Sequence, residues 1–266
     1  MRLVIIGGGN MGRAILLTLL KSASILPEDI LLIESDGEKR QKIYNSTNCN
    51  TKAVIDEAVR SYDVVLLAVK PQSSSAVMGI LAEWLLPEHL VISVMAGISL
   101  QTMRKGLGQS MLVRVMPNIS TLVGEGMSVF FASKEVNNEG REWVKNIFNS
   151  CGSCLEVKNE DAIDVATAIS GSGPGYLFYF AEQMVLSANA LGFTEEEALE
   201  LVQKTLRGAT LLWESQRVSP EILRKQVSSP GGTTLAALNH FRSKNVGESI
   251  QEGMRKAYQR AKELSS

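Results

Sequence analysis

The sequence has few of the residues that build covalent or metal sites. It contains 3 cysteines and 2 histidines among 266 residues. Three cysteines are too few for a disulfide framework. His89 and His240 lie far apart along the chain and belong to no cluster with the spacing of metal ligands. The sequence therefore predicts neither a disulfide-stapled fold nor a metal site.

Two of the cysteines, Cys151 and Cys154, form a C-x-x-C pair. A redox pair of this kind opens a helix, where the helix dipole lowers the pKa of the first thiol. Here a helical pattern (144–150) precedes the pair, and a predicted strand (155–157) follows it. We interpret the two residues as buried thiols, with redox activity as the alternative.

An excess of one charge and long apolar runs are also missing. Lys and Arg number 27 against 28 Asp and Glu, which gives a formal net charge of -1. This balance predicts neither a nucleic-acid partner nor an anionic membrane surface. No apolar run reaches the roughly 18 residues of a membrane span, and the start of the chain does not fit a signal peptide. We expect a cytoplasmic protein.

Glycine is plentiful, and its first cluster organises the start of the chain. Residues 3–6 form an apolar run typical of a strand buried on both faces. Gly7, Gly9 and Gly12 follow with the spacing G-x-G-x-x-G. Residues 13–21 then show helical periodicity. Strand, glycine turn and helix together predict a dinucleotide-binding site, with a glycine turn that holds no ligand as the alternative.

Each glycine of this motif has a predicted role. Gly7 permits a tight turn, Gly9 leaves room for a pyrophosphate against bare backbone, and Gly12 lets helix and strand pack closely. The following helix offers unpaired N–H groups and a positive dipole to the phosphates.

The second strand, predicted at 30–33, ends in Glu34, 22 positions beyond Gly12. An acidic residue at about this spacing bonds the adenine ribose 2′-hydroxyl in dinucleotide-binding folds, which favours NAD. Lys39 and Arg40 follow closely and could neutralise the 2′-phosphate of NADP. The sequence leaves the choice between the two cofactors open.

Two further strand ends point to the same edge of the sheet. The run 63–69 is followed directly by Lys70 and Pro71, and the run 90–94 leads into Met95, Ala96 and Gly97. Ligands of open α/β sheets lie at the carboxyl ends of strands. These loops are therefore candidates for cofactor contact, with a solvated loop lysine as the alternative for Lys70.

The pattern changes near residue 158. Before it, short apolar strands alternate with helices, which predicts an α/β fold with a Rossmann-type, mostly parallel, doubly wound sheet. After it, every segment has helical periodicity, and Thr194 with Glu197 forms a capping-box motif. We expect a dinucleotide-binding domain over 1–158 and an all-α substrate-binding and dimerisation domain over 159–266.

Two loops of small residues interrupt the helical half, at 170–175 and 228–234. One interpretation is a pair of helix–helix turns. The other is a pocket lined by backbone, in which helix N-termini at Tyr176 and Thr234 donate N–H groups to an anion such as a carboxylate.

Six segments carry a resemblance to a known family. They are IGGGNMGRAIL at the start, AVKP at 68–71, MAG at 95–97, MPN at 116–118, SGSGPGY at 170–176 and LRKQVSSPGGTTLAAL at 223–238. With these, the chain resembles pyrroline-5-carboxylate reductase along essentially its whole length. VSSPGGTT is the most specific segment, because the glycine motif and AVKP are shared with other reductases.

The resemblance implies an enzyme that reduces 1-pyrroline-5-carboxylate to L-proline with NADPH or NADH, the last step of proline biosynthesis. It also implies a homodimer through the C-terminal helices, sometimes assembled into a decamer. Thr234 is implied as the catalytic residue. The implied substrate-binding residues are Glu160, Gly231, Gly232, Thr233 and Thr234. The implied cofactor-binding residues are Gly7, Gly8, Gly9, Asn10, Met11, Gly12, Glu34, Ser35, Ala68, Val69, Lys70, Pro71, Ala96, Gly97, Asn118 and Gln226.

The chain departs from the family pattern at two places near the implied nicotinamide site. Ile119 and Ser120 stand where relatives usually have Thr-Pro, and Met95 stands where they usually have Ala. One alternative function is a divergent or non-catalytic NAD(P)-binding regulator, and another is an imine reductase of different substrate range. A β-hydroxyacid dehydrogenase is disfavoured, because it needs a lysine that residues 160–191 lack.

Overall fold

The computed structural model describes residues 1–265 and shows two compact units. The first, the sheet unit, consists of Met1–Pro174 and the segment from Ala257 onward. The second, the helical unit, is Gly175–Lys256. This division reflects how compactly the chain packs and not which part binds which ligand. The domain boundary predicted after residue 158 therefore stays a prediction.

The sheet unit contains eight strands. They are β1 (Leu3–Ile6), β2 (Ile30–Ile33), β3 (Asn50–Lys52), β4 (Val64–Leu67), β5 (Leu90–Ser93), β6 (Leu112–Met116), β7 (Gly126–Ala132) and β8 (Gly152–Glu156). Their order in the sheet is β3-β2-β1-β4-β5-β6-β7-β8. All neighbours pair in parallel except β6 and β7. The mostly parallel, doubly wound sheet is therefore confirmed, and the strand order reverses between β1 and β4.

Six α-helices accompany these strands. They are α1 (Asn10–Lys21), α2 (Gly37–Thr47), α3 (Ser74–Leu81), α4 (Leu100–Leu107), α5 (Asn138–Asn149) and α6 (Asp161–Ala166). Alternate residues of each strand enter different cores, as the period of two requires. Leu3 and Ile5 of β1 pack with residues of α1 and α5, whereas Val4 and Ile6 pack with residues of α3 and α4. The sheet is thus covered on both faces.

Several elements differ from their predicted extents. After β3 the chain forms a 3₁₀ turn over Glu57–Ser61, which begins where Asp56 accepts a hydrogen bond from the Ala58 N–H at 3.0 Å. The last strand, predicted at 155–157, is β8 at Gly152–Glu156. Gly152 has φ +136, a conformation that glycine tolerates and that fixes this strand's start.

The small-residue segment 170–175 interrupts the helices, as predicted, and Ser172 lies outside both flanking helical elements. A π-helical turn over Thr167–Gly171 continues from α6, and the next helix, α7, begins at Gly173. Pro174 is accommodated in its first turn, where no intrahelical N–H bond is lost. Tyr176 is therefore inside α7, and the predicted helix N-terminus at Tyr176 was wrong.

The remaining helices are α7 (Gly173–Ala190), α8 (Glu195–Gln216), α9 (Pro220–Gln226), α10 (Thr233–Ser243) and α11 (Val246–Ser265). The capping box of Thr194 and Glu197 is present at the start of α8. Within residues 175–256 the buried side chains are those of Ala198 and Val202. Among residues 1–265 no helix is long and apolar enough to cross a membrane.

Candidate active site

The glycine turn between β1 and α1 leaves little room at two of its positions. Gly7 has φ +108, and a Cβ built on it would lie 2.7 Å from the Ala68 carbonyl oxygen. A Cβ on Gly12 would collide with the Gly7 carbonyl oxygen. These contacts agree with the tight turn and the close helix–strand packing that the motif predicts.

Gly9 differs from both, because a Cβ built on it would meet nothing within 4 Å. It is the N-cap of α1, and no side chain caps the helix there. The N–H groups of the first turn therefore have no intrahelical partner, as at any helix start. The open space and the free donors together fit a pyrophosphate.

Glu34 connects the glycine turn to the loop after β2. Its Oε2 accepts a hydrogen bond from the Gly8 N–H at 2.9 Å, and its Oε1 accepts one from the Asp36 N–H at 2.9 Å. The carboxylate is thus held at the end of β2 by two backbone donors. The sequence predicted the position of this residue but not its bond to Gly8.

The two cations near Glu34 have partners of their own. Arg40 donates to the Glu34 carbonyl oxygen at 2.8 Å, and the Lys39 ammonium lies 3.4 Å from the Asp36 carboxylate. At the start of α2 the Asp36 carboxylate accepts a hydrogen bond from the Lys39 N–H, and this bond lowers the pKa of the carboxyl. Asp36 is consequently charged at neutral pH and holds Lys39 close to it.

A cavity of about 290 Å³ opens beside the Glu34 carboxylate. Its walls include Val54 and Ile80, whose side chains are 63% and 51% exposed. Large apolar side chains that are exposed in the wall of a cavity can pack against a flat ring. Neither residue was predicted as a site residue, because apolar residues in short loops give no signal in a single sequence.

The loops after β4 and β5 lie at the carboxyl edge of the sheet, as predicted. The Ala68 N–H donates to the Ile6 carbonyl oxygen at 2.8 Å, which holds the Ala68–Pro71 segment against the end of β1. Lys70 is exposed. Gly97 has φ +75, and a Cβ on it would lie 2.5 Å from the Leu264 carbonyl oxygen.

The side chain of Asn118 makes three hydrogen bonds within the sheet unit. Its Oδ1 accepts from the N–H groups of Ser120 and Met127, both at 3.2 Å, and its amide donates to the Ser170 carbonyl oxygen at 3.1 Å. This side chain ties the loop after β6 to the π-helical turn. Cofactor binding by Asn118 stays a prediction.

Glu160 lies next to a buried cation. Its Oε1 accepts from the Leu100 N–H at 2.8 Å and from Arg114 at 3.2 Å, while Oε2 makes no hydrogen bond among residues 1–265. Arg114 was missed by the sequence analysis, because its partners are 46 to 151 positions away.

In the helical unit, the loop before α10 presents backbone donors. Gly231 has φ +73, and Gly232 is the N-cap of α10 without a side-chain cap. Thr233 and Thr234 form the first turn, and Thr234 is half-buried. The N-terminus predicted at Thr234 lies one residue earlier. Gln226 ends α9 and is exposed.

The two thiols of the C-x-x-C pair are protonated at neutral pH. Burial raises the pKa of Cys151, and burial raises the pKa of Cys154 to about 12. The Cys151 sulfur lies 2.9 Å from the Thr18 hydroxyl inside the core. Thiols of this kind are poor nucleophiles, which favours the structural interpretation. No cluster of metal-ligating side chains occurs in the part of the chain that the structure describes.

Two family models match separate parts of the chain. Residues 2–97 match the family of NADP oxidoreductases that are coenzyme F420-dependent, and residues 160–264 match the pyrroline-5-carboxylate reductase dimerisation family. The pyrroline-5-carboxylate reductase of Pseudomonas aeruginosa is 35% identical, with 99% of this chain and 97% of that protein covered. The chain belongs to the pyrroline-5-carboxylate reductase family.

Solved structures agree with this membership. A pyrroline-5-carboxylate reductase from Coxiella burnetii superimposes with a TM-score of 0.93 at 33% identity, with 100% of this chain and 98% of that one covered. The Plasmodium falciparum enzyme, solved with NADP bound, gives a TM-score of 0.89 at 28% identity, with the same two coverages. Prephenate dehydrogenase of Aquifex aeolicus, at 13% identity and a TM-score of 0.54, shares the fold alone. The family is one of NAD(P)H-dependent oxidoreductases.

Proposed function

We propose that this member of the pyrroline-5-carboxylate reductase family reduces 1-pyrroline-5-carboxylate to L-proline with a hydride from NAD(P)H. The observation that supports this most is the glycine turn after β1, where the strand order of the sheet reverses. Backbone packs tightly against Gly12 in this turn, whereas the space beside Gly9 is open. The hydride adds to the imine carbon, and the ring nitrogen carries the proton. A bound nicotinamide supplies the hydride, so the chain itself needs to bind and orient the substrate and the cofactor and to exclude water.

The residues of the sheet unit are suited to hold the adenosine and pyrophosphate. In this proposal the turn Gly7, Gly8, Gly9, Asn10, Met11 and Gly12 binds the pyrophosphate, with the first N–H groups of α1 as donors. Val54 and Ile80 enclose the adenine, and Glu34 with Ser35 binds its ribose. Ala68, Val69, Lys70, Pro71, Ala96 and Gly97 flank the nicotinamide half.

We further infer that NADH is the preferred cofactor. The Glu34 carboxylate is fixed by two backbone donors, so its charge stays where a 2′-phosphate would lie. Arg40 and Lys39 are held by the Glu34 carbonyl and by Asp36. A ribose 2′-hydroxyl can donate to Glu34, whereas a phosphate would be repelled by it.

For the substrate, the proposal assigns the loop before α10 to the carboxylate. The N–H groups of Gly231, Gly232 and Thr233 bind it, supported by the helix dipole of α10. The Thr234 hydroxyl bonds the ring nitrogen and steadies the amine as it forms. Glu160 contacts the substrate through Oε2, which makes no hydrogen bond among residues 1–265. Gln226 contacts the cofactor.

We propose that the assembly is a homodimer through the helices of domain 159–266, with a decamer as the larger assembly that relatives imply. The supporting feature is the set of apolar side chains exposed on α7 and α8. We also propose the cytoplasm as the location.

The deciding experiment supplies the purified protein with 1-pyrroline-5-carboxylate and either NADH or NADPH. We expect loss of reduced-cofactor absorbance and an equal amount of L-proline by chromatography, with higher kcat/KM for NADH. If the protein binds NADH or NADPH but forms no proline with either of them, the alternative of a non-catalytic regulator is supported. Reduction of other cyclic imines alone would support an imine reductase of different range.

A further inference from the structure

Arg114 is a buried cation in the middle of β6, and it is not part of the predicted site. Its side chain is 4% exposed. It donates to Asp164 Oδ1 at 2.7 Å, to Ser265 Oγ at 2.9 Å and to Glu160 Oε1 at 3.2 Å. Burying a guanidinium is costly unless its donors are paired, so this arrangement needs all three partners.

The partners come from two distant parts of the chain. Glu160 and Asp164 lie at the start of α6 and within it, and Ser265 is in the last turn of α11. The Ser265 hydroxyl lies 2.9 Å from the same Asp164 oxygen that receives Arg114. We call Arg114, Glu160, Asp164 and Ser265 the arginine hub.

The hub is connected to the loop after β5 at two points. The Glu160 oxygen that receives Arg114 also accepts the Leu100 N–H, at the first residue of α4. On the other side, the Leu264 carbonyl oxygen occupies the space that a side chain on Gly97 would need. The loop from Gly97 to Leu100 is therefore held between α6 and the last turn of α11.

We propose that the arginine hub positions this loop and Glu160 for hydride transfer, with Arg114, Asp164 and Ser265 as positioning residues. The inference rests on the proposed function, in which Ala96 and Gly97 flank the nicotinamide and Glu160 contacts the substrate. Both bonds to Glu160 fall on Oε1, which fixes the carboxylate and leaves Oε2 for a ligand. A displacement of about 1 Å in such an element can cost roughly 100-fold in rate.

The hub lies away from the groups that hold the adenosine end. The sheet order places β4 and β5 between β1 and β6. A loosened hub is therefore expected to reduce kcat much more than cofactor affinity. This split separates positioning from a general loss of structure, which would lower both.

The test compares Ser265→Ala and Asp164→Asn with Glu263→Gln, a matched control. Glu263 is an exposed residue of the same last turn, paired with Arg260 and outside the hub. We expect both hub variants to lose about fivefold or more in kcat while the Kd for NADH, from its fluorescence, changes less than about twofold. Amide hydrogen exchange over 95–107 should become faster in both and stay unchanged in the control.

Two results would overturn the inference. One is a kcat and an exchange rate over 95–107 that match those of Glu263→Gln. The other is a parallel loss of kcat, NADH affinity and thermal stability, which would mean a purely structural role. Because exchange needs no turnover, it tests the hub even if the unaltered protein fails to make proline, an outcome that would reject the proposed function alone.

Discussion

The sheet unit and the helical unit bury their apolar side chains very differently. The sheet unit has two cores, one on each face of the sheet, and large side chains such as Phe130 and Phe148 are completely buried there. In the helical unit, Leu177, Phe178 and Tyr179 of α7 are each more than 60% exposed. The first unit buries most of its apolar side chains within its own cores, whereas the second leaves most of its large apolar side chains accessible.

The same contrast extends to the two predicted binding sites. In the sheet unit the glycine turn is braced by Ala68, and Glu34 is braced by Gly8. In the helical unit the Gly232 N–H donates to the Ser229 carbonyl oxygen at 3.0 Å within the loop before α10. The glycine turn and Glu34 are thus held by residues distant in sequence, whereas the bond within the loop before α10 joins residues three positions apart.

The largest expected effect is on assembly. Phe178→Glu should convert the dimer to monomers, because a charge buried in an apolar interface without a partner is strongly unfavourable. Phe178→Leu, which keeps the apolar surface, should stay dimeric. Light scattering after size-exclusion chromatography measures both. A dimeric Phe178→Glu variant would show that this face of α7 is not the interface.

The second effect separates two glycines of one turn. Gly12→Ala should lower the free energy of unfolding by roughly 1–3 kcal/mol, because its methyl group collides with the backbone of Gly7. Gly9→Ala should unfold like the unaltered protein, since its Cβ has open space, yet bind NADH at least about tenfold more weakly because the pyrophosphate approaches there. Urea denaturation and NADH titration give the two numbers. Equal NADH affinity for Gly9→Ala and the unaltered protein would argue against a pyrophosphate at this position.

The third effect concerns the helical unit's binding loop. Thr234→Ala should lower kcat/KM by about tenfold, the effect of one lost polar contact in the transition state. Thr210→Ala, an exposed threonine that bonds its own helix, is the control. Steady-state kinetics of the two variants should differ by that factor, and an unchanged Thr234→Ala rate would remove the residue from the site.

The fourth effect is on cofactor choice. Glu34→Ser should reduce the ratio of kcat/KM for NADH to that for NADPH by about tenfold, since roughly 1.4 kcal/mol of repulsion or lost hydrogen bonding corresponds to that factor. Glu38→Gln, an exposed change in the first turn of α2, should leave the ratio as it was. A Glu34→Ser ratio equal to the original would assign the preference to other residues.

The smallest effect concerns the buried thiols. Both Cys151 and Cys154 have raised pKa values, that of Cys154 to about 12 against an ordinary 9.0. Because each thiol has a higher pKa in the folded than in the unfolded protein, its contribution to stability is complete at a pH below the unfolded pKa. This contribution is lost as the pH rises from about 9 toward 12. The urea midpoint should fall over the lower part of this range, and less in Cys154→Ala. Rapid thiol labelling of native protein at pH 8 would contradict the protonated, buried state.

The sequence predicted most of the sheet unit because its signals are local. Residues 3–12 contain the strand, the turn and the helix start together, and Glu34 follows at a characteristic distance. The interruption at 170–175 was predicted, but the next helix begins at Gly173 and not at Tyr176, because Pro174 fits the first turn of a helix. Arg114 carried no signal, since a single arginine in an apolar strand shows neither its burial nor its partners.

The chain leaves the sheet unit at residue 174 and returns to it at Ala257, which has a consequence for synthesis on the ribosome. Arg114 emerges about 150 residues before Ser265, at roughly 5–20 residues per second. During that interval its guanidinium lacks one of its three partners, while α7 and α8 are already complete. The arginine hub is therefore completed only after every strand of the sheet and the helices α7 and α8 have been synthesised.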